Sequence, residues 1–143
     1  MSMESLFKLV MLIDDNRIDN MVNEKIIKSD NLTENILVFN RAKKALLHLQ
    51  EIDIKDYDNH EIVPQVIFLD LLMPEMDGIQ FLEEFMKLPS PLTSKIKIFI
   101  LSSSAYFKEQ AMVPKCDNLI KYLIKPLIKS NLAEVRKHFD IKK

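Results

Sequence analysis

The chain has 143 residues, of which 48% are hydrophobic and 29% charged, and its formal net charge is −1. That length suits one domain with a single core, and scattered, balanced charge excludes nucleic acid or an anionic membrane as the main partner. Cys116 is the only cysteine and Gly78 the only glycine, which excludes an intrachain disulfide and a glycine-rich phosphate loop.

In chain order, the first apolar run (residues 6–13) contains Lys8 and leads straight into Asp14 and Asp15. It is too short for a signal peptide and lacks a small-residue cleavage site. No run approaches the roughly 20 residues of a membrane span, so a cytoplasmic protein without membrane insertion is expected. Further strand-like runs occupy residues 35–39, 65–69, 95–101 and 118–124. Between them Ile18, Met21, Val22 and Ile26 recur at helical spacing, as do Ala42, Ala45, Leu46 and Leu49. Phe81, Leu82 and Phe85 repeat the pattern, followed by Leu132, Val135 and Phe139. Residues 103–113 are a less regular helical segment. Residues 53–64 and 88–94 read as exposed loops, the first longer than the usual connection. Strands alternating with helices predict an α/β fold with a parallel sheet covered on both faces.

The ends of these runs carry polar groups. The first ends in Asp14 and Asp15, the third in Asp70, the fourth in Ser102 to Ser104, and the fifth in Lys125 and Pro126. In an open parallel sheet, ligands bind beyond the carboxyl ends of the strands where the strand order reverses. With the order 2-1-3-4-5, three carboxylates, a hydroxyl and an ammonium meet there. Carboxylates this close must protonate or take up a cation, and a hard oxygen-seeking ion such as Mg2+ suits them better than zinc. A carboxylate beside Mg2+ can attack phosphorus to form an aspartyl phosphate.

Taken singly, these residues have plainer readings: Asp14 and Asp15 as a helix N-cap, Ser102 as a helix start, Lys125 as a solvated lysine, Tyr122 as a half-buried strand tyrosine. Asp77 is the better start for the helix after Asp70. The methionines read as core filler, and His48, His60 and His138 show no ligand spacing.

Together, the acidic pair, the block Asp70, Met73, Pro74, Met76, Asp77 and Gly78, the hydroxyl Ser102 and the pair Lys125 and Pro126 resemble the response-regulator receiver domain of two-component signalling. The resemblance covers about residues 7–139. It implies a stand-alone receiver over residues 1–143 without an output domain, and a doubly wound, flavodoxin-like five-stranded sheet of order 2-1-3-4-5. It further implies that Asp70 is the phosphoacceptor and that Asp15, Asp70 and the main-chain carbonyl of Leu72 ligate Mg2+, with Asp14 acting mostly through water. Ser102 and Lys125 would hold phosphoryl oxygens, and Tyr122 would swing inward as Ser102 moves. The Lys125–Pro126 bond is expected to be cis.

By the same resemblance the donor is a histidine kinase or a histidine phosphotransfer protein. The output is a downstream protein, a further relay step or a homodimer, through the face formed by residues 103–113, the fifth strand and the last helix. The protein would then be a switch rather than an enzyme, catalysing only its own phosphorylation and slow dephosphorylation. Leu72 replaces a commonly small or polar residue and is expected to shield the acyl phosphate. Asn118 stands near a common glycine and is expected in a left-handed conformation; Ser103 replaces a common alanine and is expected to be tolerated. A phosphatase related to haloacid dehalogenases would need an acid where Leu72 stands. A phosphorylation-independent interaction module on the same fold is the alternative.

Overall fold

A computed structural model describes residues 5–103 and 112–139. The elements are β1 (Phe7–Ile13), α1 (Arg17–Ser29), β2 (Thr33–Phe39), α2 (Ala42–Gln50), β3 (Val66–Asp70), α3 (Gly78–Phe85), α4 (Ser90–Thr93), β4 (Lys97–Ser102), β5 (Leu119–Ile124) and α5 (Lys129–Lys137). All strand pairs are parallel, in the order β2-β1-β3-β4-β5. The helical segment expected over residues 103–113 falls largely outside the described residues.

Period-two alternation divides the sheet into two faces. Met11, Ile13, Ile67, Leu69, Ile98 and Ile100 pack with Ala45 and Leu49 of α2 and Phe81 and Phe85 of α3. Val10, Leu12, Val66, Phe68, Phe99 and Leu101 pack with Ile27 of α1 and Leu132 and Val135 of α5. Every residue of β3 is buried, as a central strand between two helical layers requires.

Several expectations are corrected. Neither presumed loop is wholly exposed. Val63 is buried beneath the 53–64 segment, which also forms a 3-10 turn at Ile54–Asp56, with Tyr57 and Ile62 packed on the core. The proline-rich segment folds into α4, burying Leu92 and Thr93. Asn118 is not left-handed; the non-glycine residues with positive φ among those described are Asn31 and Glu75. Its amide instead donates to the carbonyls of Thr93 and Ile96, both at 2.8 Å, tying the start of β5 to the start of β4. The methionines divide: Met11 and Met73 are buried, whereas Met21, Met86 and Met112 are exposed.

The spacing that predicts helix α1 is borne out, but the helix departs from simple amphipathicity. Three of its four spaced apolar residues face out: Ile18 is 71% exposed, Met21 64% and Val22 45%, while Ile26 packs on the core. Asn20, Asn23 and Ile27 face in. The reason is backbone satisfaction, since buried main-chain groups need partners. Asn20 donates to the Asp14 carbonyl at 2.6 Å, and Asn23 accepts from the Leu127 N–H at 2.9 Å. The two asparagines thus brace the loops carrying Asp14 and Lys125.

Gly78 begins α3 hard against the end of β3. A Cβ there would lie 2.6 Å from the Asp70 carbonyl oxygen and 2.8 Å from Leu71 Cα. The Gly78 N–H donates to the Leu71 carbonyl at 2.9 Å, and Asp77 caps the helix through a reciprocal pair with Gln80. Gly78→Ala must therefore push α3 off the strand. Urea denaturation is expected to show a loss of about 1–3 kcal/mol, the usual cost of overpacking.

Candidate functional site

The same alternation builds the site. On β1 the side facing α1 and α5 carries Val10 and Leu12, and the next residue in step is Asp14. On β3 it carries Val66 and Phe68, then Asp70; on the β5 path it carries Leu123, then Lys125. Three side chains distant in sequence therefore project into one cleft at the carboxyl ends of the strands. The cleft measures about 170 Å³ and is lined by Asp14, Asp15, Asp19, Asp70, Leu72, Ser102, Ser103 and Lys125 among others.

Ligand oxygens of Asp14, Asp15 and Asp70 all lie within 4.8 Å of one another. Asp14 is fully buried and both its oxygens are engaged: Oδ1 accepts from the Asn16 N–H at 2.9 Å, and Oδ2 accepts from Lys125 Nζ at 3.0 Å. Asp15 is exposed. Lys125 Nζ also lies 2.8 Å from Asp19 Oδ2 and 3.5 Å from Asp70 Oδ1. Its main-chain N–H donates to the Ser102 carbonyl at 2.9 Å, which holds the ends of β4 and β5 together. The Lys125–Pro126 bond is cis, as expected.

Burial and then Asp14 push the Asp70 carboxyl up to about 7, although Lys125 opposes them. For Lys125, burial acts downward, but Asp19, Asp70 and Asp14 outweigh it and hold the ammonium above the ordinary lysine range. The carboxylates thus outnumber the nearby cation, and Asp70 registers the excess. An all-oxygen donor set with surplus negative charge fits a hard divalent ion such as Mg2+.

The sequence-predicted Asp14, Asp15, Asp70, Leu72, Ser102 and Lys125 all border this cleft. Tyr122 does not; it is half-buried on β5, packed on the α2–α3 side of the sheet, and burial raises its phenol. The N-cap reading of the acidic pair fails, because the cap of α1 is Asn16. Ser103 fits as a small residue, yet its Oγ is buried without a hydrogen-bond partner among the described residues. Three contributors escaped the sequence reading: Asp19, Asn20 and Asn23. Their signal was available as polar residues within the turns that follow the acidic pair, but the apolar stripe on α1 masked it.

The family model of the response regulator receiver domain matches residues 10–137. The chain belongs to that family. This receiver domain is similar to a protein-glutamate methylesterase/protein-glutamine glutaminase of Treponema denticola, with 35% identity over 73% of this chain. The match spans only 24% of that relative's length. A solved response regulator receiver protein from Dyadobacter fermentans superposes with a TM-score of 0.76 at 30% identity, covering 92% of this chain and 97% of the other. The receiver domain of the Arabidopsis thaliana histidine kinase CKI1, solved in complex with Mg2+, shares the fold at a TM-score of 0.74 and 22% identity, covering 96% of each chain. No helix among the described residues is long and apolar enough to cross a membrane.

The raised Asp70 carboxyl fixes the sign of a pH effect. The folded receiver holds this proton up to about pH 7, whereas an ordinary aspartate loses it near 3.8. Stability in metal-free solution therefore falls as pH rises between those values and levels off above them. Asp70→Asn removes the term, so in EDTA the variant is expected to be more stable than the native chain at pH 8, by on the order of 2–4 kcal/mol. The gap should close toward pH 4, and urea denaturation across that range checks it.

Proposed function

We propose that Asp70 accepts a phosphoryl group from a phosphohistidine of a histidine kinase or phosphotransfer protein. The observation that carries this reading is the convergence of the Asp14, Asp15 and Asp70 oxygens within 4.8 Å, beside a lysine ammonium 3.5 Å from Asp70. An Asp70 carboxylate oxygen bonds to phosphorus as the nitrogen–phosphorus bond of the donor breaks, and the imidazole leaves with that electron pair. Lys125 neutralises a phosphoryl oxygen, and the buried Ser102 hydroxyl donates to another. Mg2+, held by Asp15, Asp70 and the Leu72 carbonyl with Asp14 acting through water, would supply further charge neutralisation to the transferred group. The division of labour between the acids is supported by their surroundings. Both Asp14 oxygens already have protein partners, while Asp15 is exposed.

Transfer then biases a pre-existing equilibrium. Ser102 moves toward the phosphoryl group, Tyr122 follows, and the face that includes β5 and α5 changes its affinity for a downstream protein or a second copy of the chain. A shift from 1:99 to 99:1 needs about 5.5 kcal/mol of differential stabilisation.

The outward apolar stripe of α1 supports a place for the donor. Ile18, Met21 and Val22 are exposed on the helix whose first turn supplies Asp19 to the cleft. An apolar patch beside a charged site is what a partner helix can cover while its phosphohistidine reaches Asp70.

Incubation with Mg2+ and acetyl phosphate is expected to add one phosphoryl group by intact-protein mass spectrometry, with none on Asp70→Asn. Met21→Glu should slow transfer from a phosphohistidine donor by about tenfold or more and leave labelling by acetyl phosphate unchanged. Equal slowing with both donors would remove α1 as the docking surface. Leu72 is 42% exposed and lines the cleft with an apolar side chain. Leu72→Asn is therefore expected to lose phosphate severalfold faster, followed as inorganic phosphate released after donor removal.

A further inference from the structure

The shortest ion-pair contact of Lys125 is not with Asp70. Its Nζ lies 2.8 Å from Asp19 Oδ2, 3.0 Å from Asp14 Oδ2 and 3.5 Å from Asp70 Oδ1. Asp19 is the third residue of α1, a position from which an acidic side chain ordinarily reaches back to the N-cap N–H. That N–H belongs to Asn16 and is taken by Asp14 Oδ1 at 2.9 Å. The N–H of Asp19 is itself satisfied by Asn16 Oδ1 at 3.0 Å. The Asp19 carboxylate is therefore not needed for capping and turns across the cleft to the lysine. Its side chain is 37% exposed at the rim, against 16% for Lys125, so it can release the ammonium to solvent-facing charge at modest cost.

We infer that Asp19 is a positioning residue that holds the Lys125 ammonium toward α1 at rest and competes with the incoming phosphoryl group for it. This rests on the phosphoacceptor reading of Asp70. An ammonium has three N–H donors. Two are committed to Asp19 and Asp14, and the direction toward Asp70 holds the longest contact. A phosphoryl group on Asp70 gains a close Lys125 contact only as the Asp19 pair lengthens. Asp19 thus opposes phosphorylation through the lysine that it shares with the acceptor.

The test compares the native chain with Asp19→Asn and Asp19→Glu, using acetyl phosphate at saturating Mg2+. In that transfer an Asp70 oxygen bonds to phosphorus while the phosphorus–oxygen bond to acetate breaks, and acetate leaves with the electron pair. Asp19→Asn is expected to label about three- to tenfold faster than the native chain and to lose its phosphoryl group more slowly. Asp19→Glu, which keeps the charge, should fall between the two. A second readout needs neither metal nor donor: ammonium-selective NMR of the metal-free protein. There the Lys125 Hζ resonance should shift or broaden away in Asp19→Asn and return at least in part in Asp19→Glu. A role for Asp19 confined to starting α1 would change stability without moving that resonance. Labelling of Asp19→Asn within twofold of native, or an unmoved Lys125 resonance, overturns the inference. A native chain that never takes up label overturns the phosphoacceptor reading and this inference with it; a labelled native chain with an indistinguishable Asp19→Asn overturns the inference alone.

Discussion

One ammonium stands among more carboxylates than it can neutralise, and the rest of the site follows from that imbalance. Lys125 touches Asp14, Asp19 and Asp70, and Asp15 adds its charge to the same cluster. Removing a buried partner of opposite charge would leave the acids uncompensated, which costs far more than a surface pair returns. The protein therefore spends considerable structure on keeping Lys125 in place. Its main chain is hydrogen-bonded to the end of β4, and Asn23 holds the Leu127 N–H just beyond it. The negative charge that Lys125 leaves unneutralised suits the cluster to a divalent cation, as the proposed phosphoryl transfer requires.

The sheet makes this arrangement possible by simple parity. Val10 and Leu12 of β1 share a face with Val66 and Phe68 of β3, and Phe99, Leu101 and Leu123 of β4 and β5 join them there. Extending each strand by a step turns the last core position into a site position: Leu12 leads to Asp14, Phe68 to Asp70 and Leu123 to Lys125. Ser102 falls on the opposite parity, in step with Ile98 and Ile100 of the α2–α3 side. That offset suits the proposed switch, since Ser102 and Tyr122 then belong to the same side of the sheet. Gly78 completes the frame by letting α3 approach the Asp70 carbonyl more closely than any side chain permits.

Helix α1 serves both halves of the molecule. Its inner face is unusually polar because Asn20 and Asn23 are committed to main-chain groups of the two loops that present Asp14 and Lys125. Its outer face carries Ile18, Met21 and Val22, while Ile26 and Ile27 stay with the core. An amphipathic helix normally hides its apolar residues, so the three exposed beside a charged cleft suit the proposed donor contact. Asp19 lies between these faces, at the rim, where binding of a donor and the orientation of Lys125 can meet.

Much of this was legible in the chain itself. Five apolar runs of strand length, separated by helical periods, determined an α/β parallel sheet, and polar residues at four of the run ends marked where chemistry would collect. Asp77 as the start of α3 was equally local. The rest depended on partners distant in sequence. Periodicity tells which residues share a helix face but not which face turns inward, so the inward turn of Asn20 and Asn23 was not written in the pattern of α1. Those asparagines are explained only by carbonyl and amide groups brought near by the fold. Val63 and Leu92 looked like loop residues because burial is a property of neighbours, not of the loop's own composition. Asn118 looked like a glycine substitute until the ends of β4 and β5 lay side by side. Asp19 drew no notice in the sequence, and only the convergence of β1, α1 and β5 set it against Lys125. Local chemistry is written in sequence; ion pairing across more than a hundred residues is decided by the packing of the sheet.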